Sequence, residues 1–159
     1  MAVDMYLELD GVQGESAIKS NAIDIESWSF GMHQQATGHT ATGSGAGKVQ
    51  VQDISIMKHS DKSTPTLMLK LCKGDHITKG KIVVRKAGGQ SPVEYIVVDM
   101  ENILITNFQT SGSNAGDLVS ESLTLNFSKF KVAYTPQKAE GGGGAKNEMG
   151  WNVSENKSA

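Results

Sequence analysis

An all-β fold with one short helix, a small and strongly coiled β-barrel, is the architecture this sequence predicts. Three observations point to it. Apolar and polar residues alternate with period two over most of the chain, the pattern of strands with one buried face. The alternation changes phase inside several strands, as happens at a bulge or where a strand passes into a new packing environment. Only one segment combines helical spacing with start and stop signals.

The elements follow in order. Val3, Met5, Leu7 and Leu9 alternate with Asp4, Tyr6, Glu8 and Asp10, and Gly11 ends the run. Ile23 and Ile25 begin a second strand, whose apolar phase moves to Trp28 and Phe30. Val49 and Val51 begin a third, whose phase moves to Ile54 and Ile56 after Asp53. Residues 77–86 and 93–108 give two more, joined by a turn at 87–92 (AGGQSP). In 93–108 both faces are apolar around Tyr95–Val98 and again at Ile103–Ile105. Residues 119–134 form the last long strand. There Val119, Leu123, Leu125 and Phe127 share one face, and after Lys129 the apolar set moves to Phe130, Val132 and Tyr134. Strands buried on both sides with repeated phase changes suit a barrel whose bulges turn its corners.

The helix begins near Ser63 or Thr64, either of which can cap it, with Pro65 at its first position. Leu67, Met68, Leu71 and Cys72 form its expected apolar stripe. Lys73 suits the negative end of the helix dipole and Gly74 a left-handed stop. We place this helix at one end or one flank of the barrel. Residues 1–137 form the expected barrel domain, and 138–159 a flexible glycine-rich C-terminal tail with a Gly150-Trp151 segment. Trp151 follows a linker-like stretch, 138–150, and its apolar surface calls for docking on this subunit or a neighbour.

Bulk properties bound the function. A chain of 159 residues is one domain that needs no metal or disulfide to fold. A net charge of −2 gives no electrostatic reason to bind nucleic acid or an anionic membrane. Arg85 is the only arginine, which argues against an anion-handling enzyme. Cys72 is the only cysteine, so no internal disulfide forms. The acidic, alternating N-terminus lacks the basic start and apolar run of a cleavable signal peptide, and no apolar run is long enough to span a bilayer. The expected location is cytoplasmic, with export only by a route that ignores cleavable signals.

Candidate chemistry is thin. Gly43-Ser44-Gly45-Ala46-Gly47-Lys48 invites a phosphate-loop reading, but the loop needs glycine where Thr42 stands and Ser or Thr where Val49 stands. His33, His39, His59 and His76 include no pair at zinc-helix spacing. Cys72, in the helix stripe, reads as a small buried hydrophobe rather than a nucleophile. Asp4, Glu8, Asp10, Asp99, Glu101 and Glu121 fall on strands; two of them close together would make a glycosidase-like pair, and otherwise they form a solvated face. Lys79, Lys81 and Arg85 share a strand face without interleaved aromatics, a weak nucleic-acid signal.

Residues 4–16 (DMYLELDGVQGES), Ser27-Trp28-Ser29-Phe30-Gly31, Asp61-Lys62-Ser63-Thr64-Pro65, and Gly150-Trp151-Asn152 with Asn156-Lys157 occur in this order. Between the last two lies a closing strand with Glu121, Leu123, Leu125, Phe127, Lys129, Tyr134, Pro136 and Gln137. Together they resemble the haemolysin co-regulated proteins, tube subunits of type VI secretion systems. The resemblance implies a non-enzymatic subunit without cofactor that forms a homohexameric ring. Rings would stack into a hollow tube, with contractile sheath, spike and baseplate proteins as partners and effectors in the lumen. It implies cytoplasmic residence before firing and secretion afterwards, with no nucleic-acid or membrane partner. The chain stops at 159, so no fused toxin domain is expected. Small loop residues Gly43, Ser44, Gly45, Gly88 and Gly89, with Trp151, are the expected ring-stacking contacts. Two other readings are a ligand-binding barrel with 36–48 as its mouth, and a carboxylate-dependent hydrolase.

Overall fold

The computed structural model describes residues 3–35, 47–86, 92–138 and 142–159. Its strands in chain order are β1 (Val3–Leu9), β2 (Ile23–Asp24), β3 (Ser27–Ser29), β4 (Met32–His33), β5 (Gln50–Val51) and β6 (Ile54–His59). After helix α1 (Thr64–Lys73) come β7 (Ile77–Lys86), β8 (Val93–Ser111), β9 (Ser120–Asn126), β10 (Lys129–Tyr134), β11 (Asn147–Asn152) and β12 (Lys157–Ser158).

Two layers share one long strand. The first sheet runs β12-β11-β10-β8-β7-β1-β2. The second runs β3-β6-β9-β8, using the C-terminal half of β8. Between them lies a core of Leu7, Ile23, Ile54, Ile82, Ile103 and Leu125, none measurably exposed, with the rings of Phe30, Phe127 and Phe130 packed tilted or edge-to-face at 5.0–5.7 Å. The ladder does not close on itself. The chain at the β2–β3 corner bridges the gap instead: Ile25 N–H donates to the Met5 carbonyl at 3.2 Å, and Glu26 N–H to the Met57 carbonyl at 2.8 Å.

The phase changes mark the places where strands cross between sheets. β2 pairs with β1 and β3 with β6. The predicted strand over 119–134 is likewise two: β9 in the second sheet and β10 in the first. At the break, Ser128 N–H donates to the Glu101 carbonyl at 3.1 Å, and its own carbonyl accepts from Val153 N–H at 2.8 Å. Phe127 and Phe130, on opposite phases, are therefore both buried. In β8 the two apolar phases meet at Asn102, whose φ of 54° is left-handed, so Met100 and Ile103 both face the core. Val119 and Tyr134, expected on the apolar faces, are exposed at the two ends of this stretch.

Helix α1 departs from expectation in two ways. Its N-terminus is organised by Asp61, whose Oδ1 accepts from Ser63 N–H at 2.9 Å and from the Ser63 hydroxyl; Ser63 makes no side-chain cap. Its inward residues are Leu67, fully buried, and Leu71, half-buried, while Met68 and Cys72 are exposed. A helix turns about 100° per residue, so positions one later than the i, i+4 pair at 67 and 71 swing outward. Cys72 is thus not the buried hydrophobe the sequence suggested. The stop is as expected: Gly74, at φ 66°, donates to the Leu71 carbonyl at 3.1 Å, and Asp75 N–H donates to the Lys70 carbonyl at 3.0 Å. Gly74→Ala should cost about 1 kcal/mol, because an added Cβ is strained in that conformation. Urea denaturation would show the loss as a lower midpoint at unchanged slope.

Candidate assembly surfaces

The second sheet has an unusual outer face. Its register aligns Ser29, Ser55, Thr124 and Asn107 in one row, and Ser27, Met57, Ser122 and Gln109 in the next. Neither row carries a charge. Charges stand only at the rims: Asp53 at one end, held by Thr106 Oγ1 at 2.7 Å and Asn126 Nδ2 at 2.9 Å, and the Glu26–His59 contact at the other. β3 and the C-terminal half of β8 are the lateral edges, each paired on one side only among the described strands. Free edges offer backbone donors and acceptors to another chain.

The first sheet's outer face is the opposite, a lattice of charge whose sign alternates from strand to strand. Asp4 and Glu8 of β1 face Arg85 and Lys81 of β7, at 3.6 and 3.7 Å. Glu101 of β8 faces Lys129 of β10 at 3.7 Å, and Lys131 faces Glu148 of β11 at 3.2 Å. The Arg85–Asp4 approach is a charge contact, since Arg85 Nε has no hydrogen-bond partner. Lys146 and Lys131 beside Glu148 hold its carboxyl below the usual range. Such exposed pairs stabilise little. The carboxylates that suggested a hydrolase pair are mostly here, facing bases rather than one another, and the stripe of Lys79, Lys81 and Arg85 lies between two acidic columns.

Amid this lattice Tyr6 is 1% exposed, covered with Ala22 and Val83 by Ile18 and Val97. Its hydroxyl donates to Glu94 Oε1 at 3.3 Å. Burial first, then the charges of Glu94 and Glu8, push the phenol from 10.0 up to about 12. Between those pH values the unfolded chain has released this proton and the folded chain has kept it. Stability is therefore unaffected below pH 10 and falls toward 12, by about 1.4 kcal/mol per pH unit at most. Tyr6→Phe should lack this loss, giving a flatter decline of melting temperature across that window than the parent protein.

A third feature lies where α1 meets the second sheet. Lys58 is fully buried, its Nζ 2.5 Å from Glu121 Oε1, 3.1 Å from Asp61 Oδ1 and 3.4 Å from Thr64 Oγ1. Thr64 Oγ1 in turn donates to Glu121 Oε1 at 2.8 Å. This cluster ties β6, β9 and the helix start together. Lys58 shares the inward phase of Ile54 and Ile56, as Glu121 shares that of Leu123 and Leu125, and this phase is the one sequence signal of the cluster.

Of the expected stacking residues, Gly43, Ser44, Gly45, Gly88 and Gly89 lie outside the described residues. Their flanks show which segments converge. Lys86 pairs with Val93, Thr135 N–H donates to the Tyr95 carbonyl at 2.9 Å, and Gln137 bridges Gly143. The end of β7 at Lys86 and the start of the tail after Tyr134 thus lie at the same end of the first sheet. Trp151 lies away from that end. It is half-buried on its own subunit, opposite Phe130 on β10, and lines an apolar cleft of about 390 Å³ with Met32, Val51 and Met149. His33 and His76 are exposed and His39 is outside the described residues; among the described residues no three His, Cys, Asp or Glu are grouped to hold a metal. Among them, too, no helix is long and apolar enough to cross a membrane.

Residues 6–134 match the family model described as type VI secretion system effector, Hcp. The protein hcp1 of Pseudomonas aeruginosa is 44% identical, with 98% of each chain covered. The crystal structure of Hcp1 from Salmonella typhimurium superposes with a TM-score of 0.81 at 30% identity, over the whole of both chains. A structure of a type six secretion system protein reaches 0.92 at 23% identity, covering 99% of this chain and 100% of its own, a likeness of fold alone. The chain belongs to the Hcp family of type VI secretion proteins.

Proposed function

We propose that this protein is the inner-tube subunit of a type VI secretion apparatus and has no catalytic activity. Six copies join head to tail into a ring whose lumen is lined by the uncharged face of the second sheet. The observation that carries this reading is that face: two charge-free rows across four strands, ending laterally in edges that have no partner among the described strands. A head-to-tail interface uses both edges and closes when the rotation closes. Six copies give a wall of about 24 strands, which at ~4.8 Å spacing and ~40° tilt closes at a backbone diameter of ~48 Å. Such a bore admits a folded effector, and its hydroxyl and amide lining holds cargo weakly enough to release it. The space between the sheets is filled by the aliphatic and aromatic core, which favours a tube subunit over a ligand-binding barrel.

Rings stack through the loops at 36–48 and 87–92, with Gly43, Ser44, Gly45, Gly88 and Gly89 permitting close backbone approach and Trp151 supporting the contact. The stack fits inside a contractile sheath, grows from a baseplate, carries a spike, and leaves the cytoplasm without a cleavable signal. Mass in solution tests the ring: native mass spectrometry should find six times 16.9 kDa, about 101 kDa. A monomer at micromolar concentration would refute it. Shortening the 36–46 loop should keep the ring and abolish tubes in negative stain.

A further inference from the structure

α1 carries a second apolar face that nothing among the described residues covers. Pro65, Met68, Leu69 and Cys72 fall at i, i+3, i+4 and i+7 and are all exposed, Leu69 at 54%. A helix whose inward face is already satisfied by Leu67 and Leu71 gains nothing from leucine and methionine in water. Its position says what covers them. α1 packs on β8, and the chain leaves the helix through Gly74-Asp75-His76 to reach Ile77, which pairs with Ile103. The helix therefore lies alongside the half of β8 that pairs on one side only among the described strands. Charge points the same way. α1 carries no acid and ends on the exposed Lys73, whereas the β2–β3 corner, beside the β3 edge, presents Glu15, Asp24 and Glu26 around a cleft of about 350 Å³ that His59, Ser60 and Asp61 also line.

We infer that the outward stripe of α1 docks on the β2–β3 corner of the next copy in the ring. The inference rests on the ring reading above. It makes the helix an assembly element, with Met68 and Leu69 as anchors and Lys73 opposite the neighbour's acidic corner.

Cys72, the only thiol in the chain, reports on the contact. The experiment measures its maleimide labelling rate in the parent ring and in Leu69→Asp, with mass and circular dichroism on the same samples. The parent ring should label at least an order of magnitude more slowly than the unfolded chain's thiol. Leu69→Asp should be a folded monomer with the parent spectrum and fast labelling. A parent ring whose Cys72 labels freely, or an intact Leu69→Asp ring, overturns the inference while leaving the ring standing, and directs α1 to a partner outside the tube. A monomeric parent protein overturns the ring reading, and the docking with it.

Discussion

Lys58→Met should destabilise this protein by about 3–5 kcal/mol, because it strands the buried Glu121 carboxylate without its cation. The fall in melting temperature should be on the order of 10 °C, given about 2–4 °C per kcal/mol for a chain of this size. Glu121 already has one oxygen, Oε2, without a hydrogen bond, so there is no spare partner to take over. The double variant Lys58→Met, Glu121→Leu should recover most of the loss, since an apolar pair of similar volume needs no compensation. If the double variant were as unstable as the single, the loss would come from packing rather than from the orphaned charge.

Phe130→Ala should cost a similar amount, about 3–5 kcal/mol. Phe130 is 2% exposed, meets Phe30 at 5.0 Å and Phe127 at 5.7 Å edge-to-face, and stands opposite Trp151 across the β10–β11 ladder. Truncation opens a cavity at the corner where the two sheets meet and removes the surface on which the C-terminal strands rest. Equilibrium unfolding should show the loss. Hydrogen exchange should show it concentrated in β10 and β11, with amide protons of Met149–Asn152 losing protection first. An Asn147–Asn152 segment as protected as in the parent would show that the tail is held by its ladder alone.

The strand pattern was largely legible because period-two alternation is a local consequence of burying one face. The phase changes were legible too. Asp53, Asn102 and Ser128 sit at the crossings, where short polar residues leave the ladder or tolerate a turned backbone. What was not legible depended on partners far apart in sequence. Nothing near Lys58 announces that Glu121 lies 2.5 Å away, so a buried cation reads locally as an interruption of the apolar phase. The helix stripe was misassigned by one position because Leu67, Met68, Leu71 and Cys72 are all apolar, and only the placement of β8 selects Leu67 and Leu71. The tail was read through its glycines, and the pairing of Asn147–Asn152 with β10 depends on a strand with no local signature. The charge-free face of the second sheet was present in the sequence as scattered Ser, Thr, Asn and Gln, and only the register of four strands assembles it.

Whether this face lines the lumen of a six-membered ring can be read from electron cryomicroscopy of the purified particle. The ring should show six-fold symmetry, a backbone bore of ~48 Å, and Ser55, Thr124 and Asn107 on its inner wall. A ring whose hole is lined by the charged lattice of Lys81, Asp99 and Lys131, or a particle without six-fold symmetry, would contradict it.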